Sequence, residues 1–169
     1  MMRSLKLLLA AGVATLALSV APGRAQAQDL GIQLGSAAPS AKVHTLDGKE
    51  VDLAQVYGKG PVLIEFWATW CPVCAELEPT VLSAAKKYGN QVKFVGVAVS
   101  VNETPARVKA FAAKHGLPGE QYFDTKGDAT GAYDVPATSY IVVLNKAGKV
   151  VYTGQGGKQD LDAAIKKAL

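Results

Sequence analysis

The feature that most restricts the fold is the run Val62–Ala68, VLIEFWA, which is apolar except for Glu65 and is followed three residues on by Cys71 and six residues on by Cys74. A strand so uniformly apolar must be covered on both faces, and helices packed on the two sides of a sheet meet that need. The next segment supplies such a helix. From Cys71 onward Leu77, Val81, Ala84, Ala85 and Tyr88 recur at helical spacing up to the stop at Gly89-Asn90, with Lys86 and Lys87 near the end, where the helix dipole favours cations.

The alternation then repeats. VKFVGVAVSV (Val92–Val101) reads as a second buried strand, and TPARVKAFAAKHG (Thr104–Gly116) as a helix. Thr104 can cap that helix, Pro105 suits its first turn, Val108, Phe111 and Ala112 share a face, and Gly116 ends it. TSYIVVLNKAGKVVYTG (Thr138–Gly154) predicts two strands around a turn at Asn145–Gly148, and Asp47-Gly48 within KVHTLDGKEVDL (Lys42–Leu53) predicts an earlier hairpin. The chain closes on DLDAAIKKAL, where Asp160 can cap a helix whose Leu161, Ile165 and Leu169 share a face. Strands alternating with helices, followed by a hairpin, imply an α/β sandwich around a mixed sheet.

The compartment decides how two cysteines are read. Arg3 and Lys6 precede a 14-residue apolar run, Leu7–Val20, and small residues follow at Ala25-Gln26-Ala27. A membrane-spanning helix needs about 20 apolar residues, whereas this arrangement suits a secretory signal. The expectation is a signal peptide over 1–27, cleaved near Ala27 to give a periplasmic protein with no stable membrane insertion. An uncleaved signal anchor is the alternative. Residues 28–40, rich in Gly, Ser, Gln and Ala without a sustained period, read as a flexible lead-in, and 41–169 as one domain. The formal charge of +4 mostly leaves with the signal: losing Arg3, Lys6 and Arg24 takes the basic count from 18 to 15, against 14 acidic residues. Neither a nucleic acid nor an anionic membrane is implied as a partner. A mature chain of 142 residues can bury a core without disulfide staples, so the cysteines need another explanation.

Four explanations compete. A zinc site needs four ligands, and only His44 and His115 could join the pair. A c-type haem needs His directly after the second cysteine, where Ala75 stands. A purely structural disulfide over two intervening residues gains little from loop closure. Redox exchange remains, with no cofactor and no metal. Cys71 at the start of a helix, where unpaired N–H groups and the dipole favour a thiolate, is the expected nucleophile. Cys74, one turn on and expected to be more enclosed, is the resolving thiol. Pro72 and Val73 help set the potential. Trp67 and Trp70 flank the pair, one expected in the core and one on the client surface, while His44 and His115 read as structural or solvated.

These residues resemble a known family. VLIEFWATWCPVC is similar to the active-site strand and motif of thioredoxin-fold proteins, specifically the TlpA/ResA-like thiol-disulfide oxidoreductases. The resemblance extends over nearly all of the mature chain: GSAAPSAKVHTLDGKEVDL in the lead-in and hairpin, Pro79 inside the helix, the βα insertion VAVSVNETPARVKAFAAKHGL, and FDTKGDATGAYDV before the final hairpin. It implies a thioredoxin-like sandwich with an N-terminal β-hairpin and a central βα insertion. It also implies reduction of disulfides in secreted client proteins, apocytochromes among them, with re-reduction by a membrane electron donor. Clients would be held by Trp70, Pro72, Val73, Thr138 and Ser139.

Two positions depart from the family pattern. Glu65 stands where thioredoxins carry a buried Asp and many relatives an Asn. It is expected to relay the proton that Cys74 loses, the alternative being a strand-end Glu paired with Lys93. Where the family places a cis-proline facing the cysteines, ungapped alignment on Tyr133, Val135 and Asn145 puts Thr138 and Ser139, so Ser139 replaces the proline; Pro136 is the other candidate. A Ser or Thr hydroxyl there could bond Cys71 or admit a soft metal ion. A periplasmic copper-handling protein using the same thiols is therefore the second reading of function. A peroxidase is the third, and the residues before Cys71 lack the Thr-x-x-Cys arrangement it needs.

Overall fold

The computed structural model describes residues 30–57 and 60–169. The signal-peptide segment therefore lies outside the described residues. Among those described, no helix is long and apolar enough to cross a membrane.

Seven strands form one sheet: β1 (Lys42–Thr45), β2 (Glu50–Asp52), β3 (Val62–Trp67), β4 (Lys93–Val99), β5 (Glu120–Asp124), β6 (Tyr140–Leu144) and β7 (Val150–Gln155). Five helices accompany them: α1 (Leu53–Val56), α2 (Pro72–Tyr88), α3 (Pro105–His115), α4 (Asp128–Ala132) and α5 (Leu161–Lys166). The spatial order is β2-β1-β5-β4-β3-β6-β7, with β3, β4 and β5 parallel to one another and the other pairings antiparallel. The central strands are thus β4 and β3, and the apolar run lies between β4 and β6 as its composition demands.

The period-two alternation of β3 sorts its residues to two cores. Val62, Ile64 and Phe66 join Leu53 of α1 and Ala129 and Tyr133 from the α4 segment on one face. Leu63 meets Leu77 and Val81 of α2 and Leu161 and Ile165 of α5 on the other, and Trp67 meets Val108 of α3 beside the cysteines. Glu65 belongs by parity to that second face, under α2. Full burial of a side chain such as Leu77 contributes roughly 1.5–3 kcal/mol, so these stripes hold α2 to the sheet and fix where its first residue falls.

Helix starts follow the sequence closely. Thr104 caps α3 by accepting from Arg107 N, Pro105 occupies its first turn, and Gly116 closes it at φ +64°, a left-handed conformation that suits glycine. Asp160 caps α5 through Ala163 N. The turn at Asp47-Gly48 joins β1 to β2, and β6 joins β7 through Asn145–Gly148.

Three features differ from expectation. The lead-in is irregular but not free: Ile32 N donates to Tyr133 O, Gly35 N to Val150 O, Ala38 N to Gly148 O, and Val150 N returns a bond to Ser36 O. Ala37 bridges Lys149, so the segment covers the start of the edge strand β7. Leu169 does not join the buried face of α5; it lies beyond the helix end and is 58% exposed, and Ala168 is buried instead. Finally β5, with Glu120, Gln121 and Asp124 among its five residues, is a strand between β4 and β1 although nothing in its pattern predicts one.

Candidate active site

Strand β3 ends at Trp67 and the chain turns through Ala68, Thr69 and Trp70 before α2 begins. Cys71 is the N-cap, in extended backbone conformation, and its Sγ accepts the Cys74 N–H at 3.0 Å. Pro72 follows at the first helical position, where an absent N–H costs nothing. The sulfur therefore does the work that Ser or Asp performs at an ordinary N-cap, and a negative charge on it gains both the amide bond and the helix dipole. Cys71 and Cys74 are joined by a disulfide, with Cα atoms 5.3 Å apart.

Burial does not distinguish the two cysteines as expected. Cys71 is 5% and Cys74 6% exposed, so neither is the more enclosed. What distinguishes them is position: the helix start and its amide serve Cys71 alone.

Around the pair lies an exposed apolar rim. Trp70 is 43%, Val73 41% and Val101 62% exposed, and Trp70 Nε1 donates to Val101 O at 2.8 Å, which ties the active-site loop to the loop before α3. Trp67 is buried, its Nε1 donating to Gln121 Oε1 at 3.1 Å. A second tie runs below the rim: Glu103, its side chain wholly buried, accepts from Thr69 N at 2.8 Å and faces Arg107 Nε at 3.5 Å. Arg107 also reaches Thr69 Oγ1 at 3.3 Å and Asn102 O at 3.0 Å. The segment Val101–Arg107 thus clamps the two residues before Cys71.

Ser139 immediately precedes β6 and is fully buried, at φ +62°. Its Oγ is 3.4 Å from Val73 O and 3.2 Å from Gly156 O, and donates toward these carbonyls, not toward Cys71. Gly156 N and Gln159 Nε2 both donate to Ser139 O, at 3.0 and 3.3 Å. Thr138 beside it is partly buried. Pro136 is exposed and sits with Leu30, Ile32 and Leu34 at another groove, away from the cysteines. No cis peptide bond occurs among the described residues.

Behind the disulfide is a cavity of about 20 Å³, lined by Glu65, Trp67, Cys71, Cys74, Glu78 and Phe111 among others. That is room for about one water. The alternative partner for Glu65 is not used: Lys93 pairs with Glu120 at 3.4 Å and donates to Val56 O, and the residue opposite Glu65 on β4 is Gly96. No described residue donates a hydrogen bond to the Glu65 carboxylate. Burial first, and the negative charge of Glu78 second, push its pKa up from 4.5 to about 7. A carboxyl so placed holds or yields a proton near neutrality, within the cavity that Cys74 lines.

Several residues of this site escape a reading of the sequence. Glu78 follows Cys74 by four positions, so helical spacing alone places the two on one face. His115, read as structural or solvated, pairs with Glu78 at 3.0 Å, and His44 meets Thr125 Oγ1 at 3.0 Å. Glu103, Arg107 and Gln159 reach the site only through the tertiary fold.

Known proteins are similar to this chain. The Redoxin family profile matches residues 33–169. The thiol-disulfide oxidoreductase ResA of Bacillus thuringiensis (strain Al Hakam) is 32% identical over 138 residues, covering 80% of this chain and 79% of the relative. The thioredoxin-like protein YneN of Bacillus subtilis (strain 168) is 30% identical over 141 residues, 82% of each chain. The thioredoxin domain of a thiol-disulfide oxidoreductase from Bacteroides vulgatus has the same fold, with a TM-score of 0.69 at 20% identity over 82% of this chain and 99% of that one. With a helix-capping cysteine, its partner one turn on and a match over nearly the whole described chain, the protein belongs to the Redoxin family, among the ResA-like thiol-disulfide oxidoreductases.

Proposed function

We propose that the protein is an exported, periplasmic reductase of disulfides in secreted client proteins, apocytochromes among them. The observation that carries this reading is the Cys71 sulfur at the α2 N-cap, accepting the Cys74 N–H at 3.0 Å beside the exposed rim of Trp70, Val73 and Val101. The reduced Cys71 thiolate attacks a client disulfide; a Cys71–client bond forms and one client sulfur leaves with the electron pair. Cys74 passes its proton to ionised Glu65, and its thiolate attacks Cys71 Sγ. The Cys71–Cys74 bond forms, the second client sulfur leaves, and two electrons have passed from the protein to the client. A membrane electron donor of the thiol-disulfide relay restores the dithiol.

Trp70, Pro72 and Val73 offer the client an apolar contact, with Ser139 3.4 Å from Val73 O and Thr138 beside it. Ser139 has committed its hydroxyl and carbonyl internally, so the client's main chain would meet backbone at Thr138 rather than the Ser139 side chain. The basic, apolar N-terminus, Met1–Ala27, supports export with cleavage near Ala27. The test is trapping: Cys74→Ser, expressed with its N-terminus in a bacterium with a periplasm, should accumulate mixed disulfides through Cys71 with exported proteins. Cys71→Ser should give none, and equal trapping by both variants would overturn the assignment of roles.

A further inference from the structure

Two glutamates flank Leu77 on α2, and they face different ways. Glu76 lies over Gly157 and 3.9 Å from Lys158. Glu78 lines the cavity behind the disulfide together with Glu65. Both Glu78 oxygens lie 3.0 Å from His115 Nδ1, at the C-terminal end of α3. The imidazole is held flat on Phe111, centroids 3.8 Å apart and planes 9° from parallel, and Phe111 packs on Trp67 at 5.5 Å. The His115 side chain keeps 30% of its surface exposed and Glu78 19%. A chain of titratable groups therefore leads from Cys74 and Glu65, inside, to an imidazole in contact with solvent.

Among the described residues, no charged side chain other than Glu78 lines the space beside Glu65. Its neighbours across the sheet are Gly96 on β4 and Ile141 on β6. Leu117, Pro118 and Gln121 line the space beside it, and the Gln121 amide is committed to Trp67 and Pro118 O. Lys93 is held by Glu120 at the far end of β4. From α2 comes Glu78, and His115 of α3 reaches the site only through its contact with Glu78. The Glu78 charge disfavours ionised Glu65 and so holds the proton on it. A proton on His115 would cancel much of that charge at a distance of 3.0 Å.

We propose that Glu78 and His115 are positioning residues that set how readily Glu65 takes up the Cys74 proton. The Glu78 charge favours the protonated form of Glu65, and the contact of the His115 ring nitrogen with both Glu78 oxygens opposes that effect. This rests on the reading of Glu65 as the proton acceptor.

The experiment is the pH profile of single-turnover oxidation of the reduced full mature chain by dithionitrobenzoate, whose second release of coloured thiolate reports Cys74 attacking the mixed disulfide on Cys71. It is paired with an infrared pH titration of the Glu65 carboxyl in the oxidised protein. Glu78→Gln should move both inflections down by about one pH unit, and His115→Gln should move both up. Opposite displacements are not expected of two residues that merely support the fold. If Glu65→Gln leaves the wild-type inflection in place, the acceptor reading itself fails. If Glu65→Gln removes it while Glu78→Gln and His115→Gln leave it unmoved, the acceptor stands and the pair is overturned. Far-ultraviolet circular dichroism at each pH confirms that each variant is folded, and His115→Asn serves should His115→Gln disturb the stacking on Phe111.

Discussion

Replacing Glu65 by Gln removes a charge from the cavity while keeping its shape, and the structure sets the size of the effect. The carboxyl titrates at 4.5 when free and is pushed up to about 7 by burial and by Glu78. Between those two values the folded protein holds a proton that the unfolded chain has lost, so stability falls as pH rises through that window. The loss is absent below about pH 4.5 and complete above about pH 7; its size is about 3 kcal/mol at 1.36 kcal/mol per unit. Glu65→Gln lacks this loss. Its stability relative to wild type should therefore rise by about 3 kcal/mol from pH 4 to pH 8, whatever the fixed difference from burying an amide. Urea unfolding of the two oxidised proteins across that range, with m-values compared to exclude changes in the denatured state, reads it directly. The same variant should slow release of the mixed disulfide by roughly 100-fold, the lower range for loss of a positioned base. A stability difference that stays constant from pH 4 to pH 8 would refute the account of Glu65.

Other perturbations test the parts around it. Glu103→Ala leaves Thr69 N–H without its acceptor and should cost about 1–3 kcal/mol, whereas Glu103→Gln keeps an oxygen and should cost less; equal losses in urea unfolding would contradict the clamp. Ser139→Ala and Ser139→Gly both delete the hydroxyl, so their difference isolates the left-handed backbone. The glycine variant should be the more stable by about 1 kcal/mol, and an alanine variant of equal stability would contradict φ +62° at this position. Alkylation of Cys71 in the reduced protein should rise with an inflection below the free-thiol value of about 8.5, and an inflection above it would remove the argument from the helix N-cap.

How far the sequence carries is clearest at particular residues. The apolar run of β3, the cap and stop of α3, and the turns at Asp47-Gly48 and Asn145–Gly148 are local signals, and each appears where its pattern places it. Strand β5 is invisible because its polar residues are satisfied by the fold: Glu120 and Gln121 by Lys93 and Trp67, distant in sequence, and Asp124 by Ala129 N and Thr130 N, five and six positions on at the start of α4. Gly96 offered a hint, since glycine within a strand marks a close approach, here by Gln121. The cysteine pair is a local motif in the sequence, whereas Glu65 and Ser139 are singled out through the family resemblance. The pairing of Glu78 with His115, 37 residues apart, depends on how α3 crosses α2. Short helices such as α1 and α4, of four and five residues, carry too few turns to show a period.

The reduction potential of the Cys71/Cys74 couple, measured in residues 28–169 by equilibration with dithiothreitol or glutathione buffers, tests the central claim most directly. A helix-capping cysteine in a protein that reduces secreted clients should give a value near thioredoxin's, about −270 mV. A value near −120 mV, where strong oxidants lie, would mean that the dithiol is the favoured state, and the protein could not then serve as a reductase.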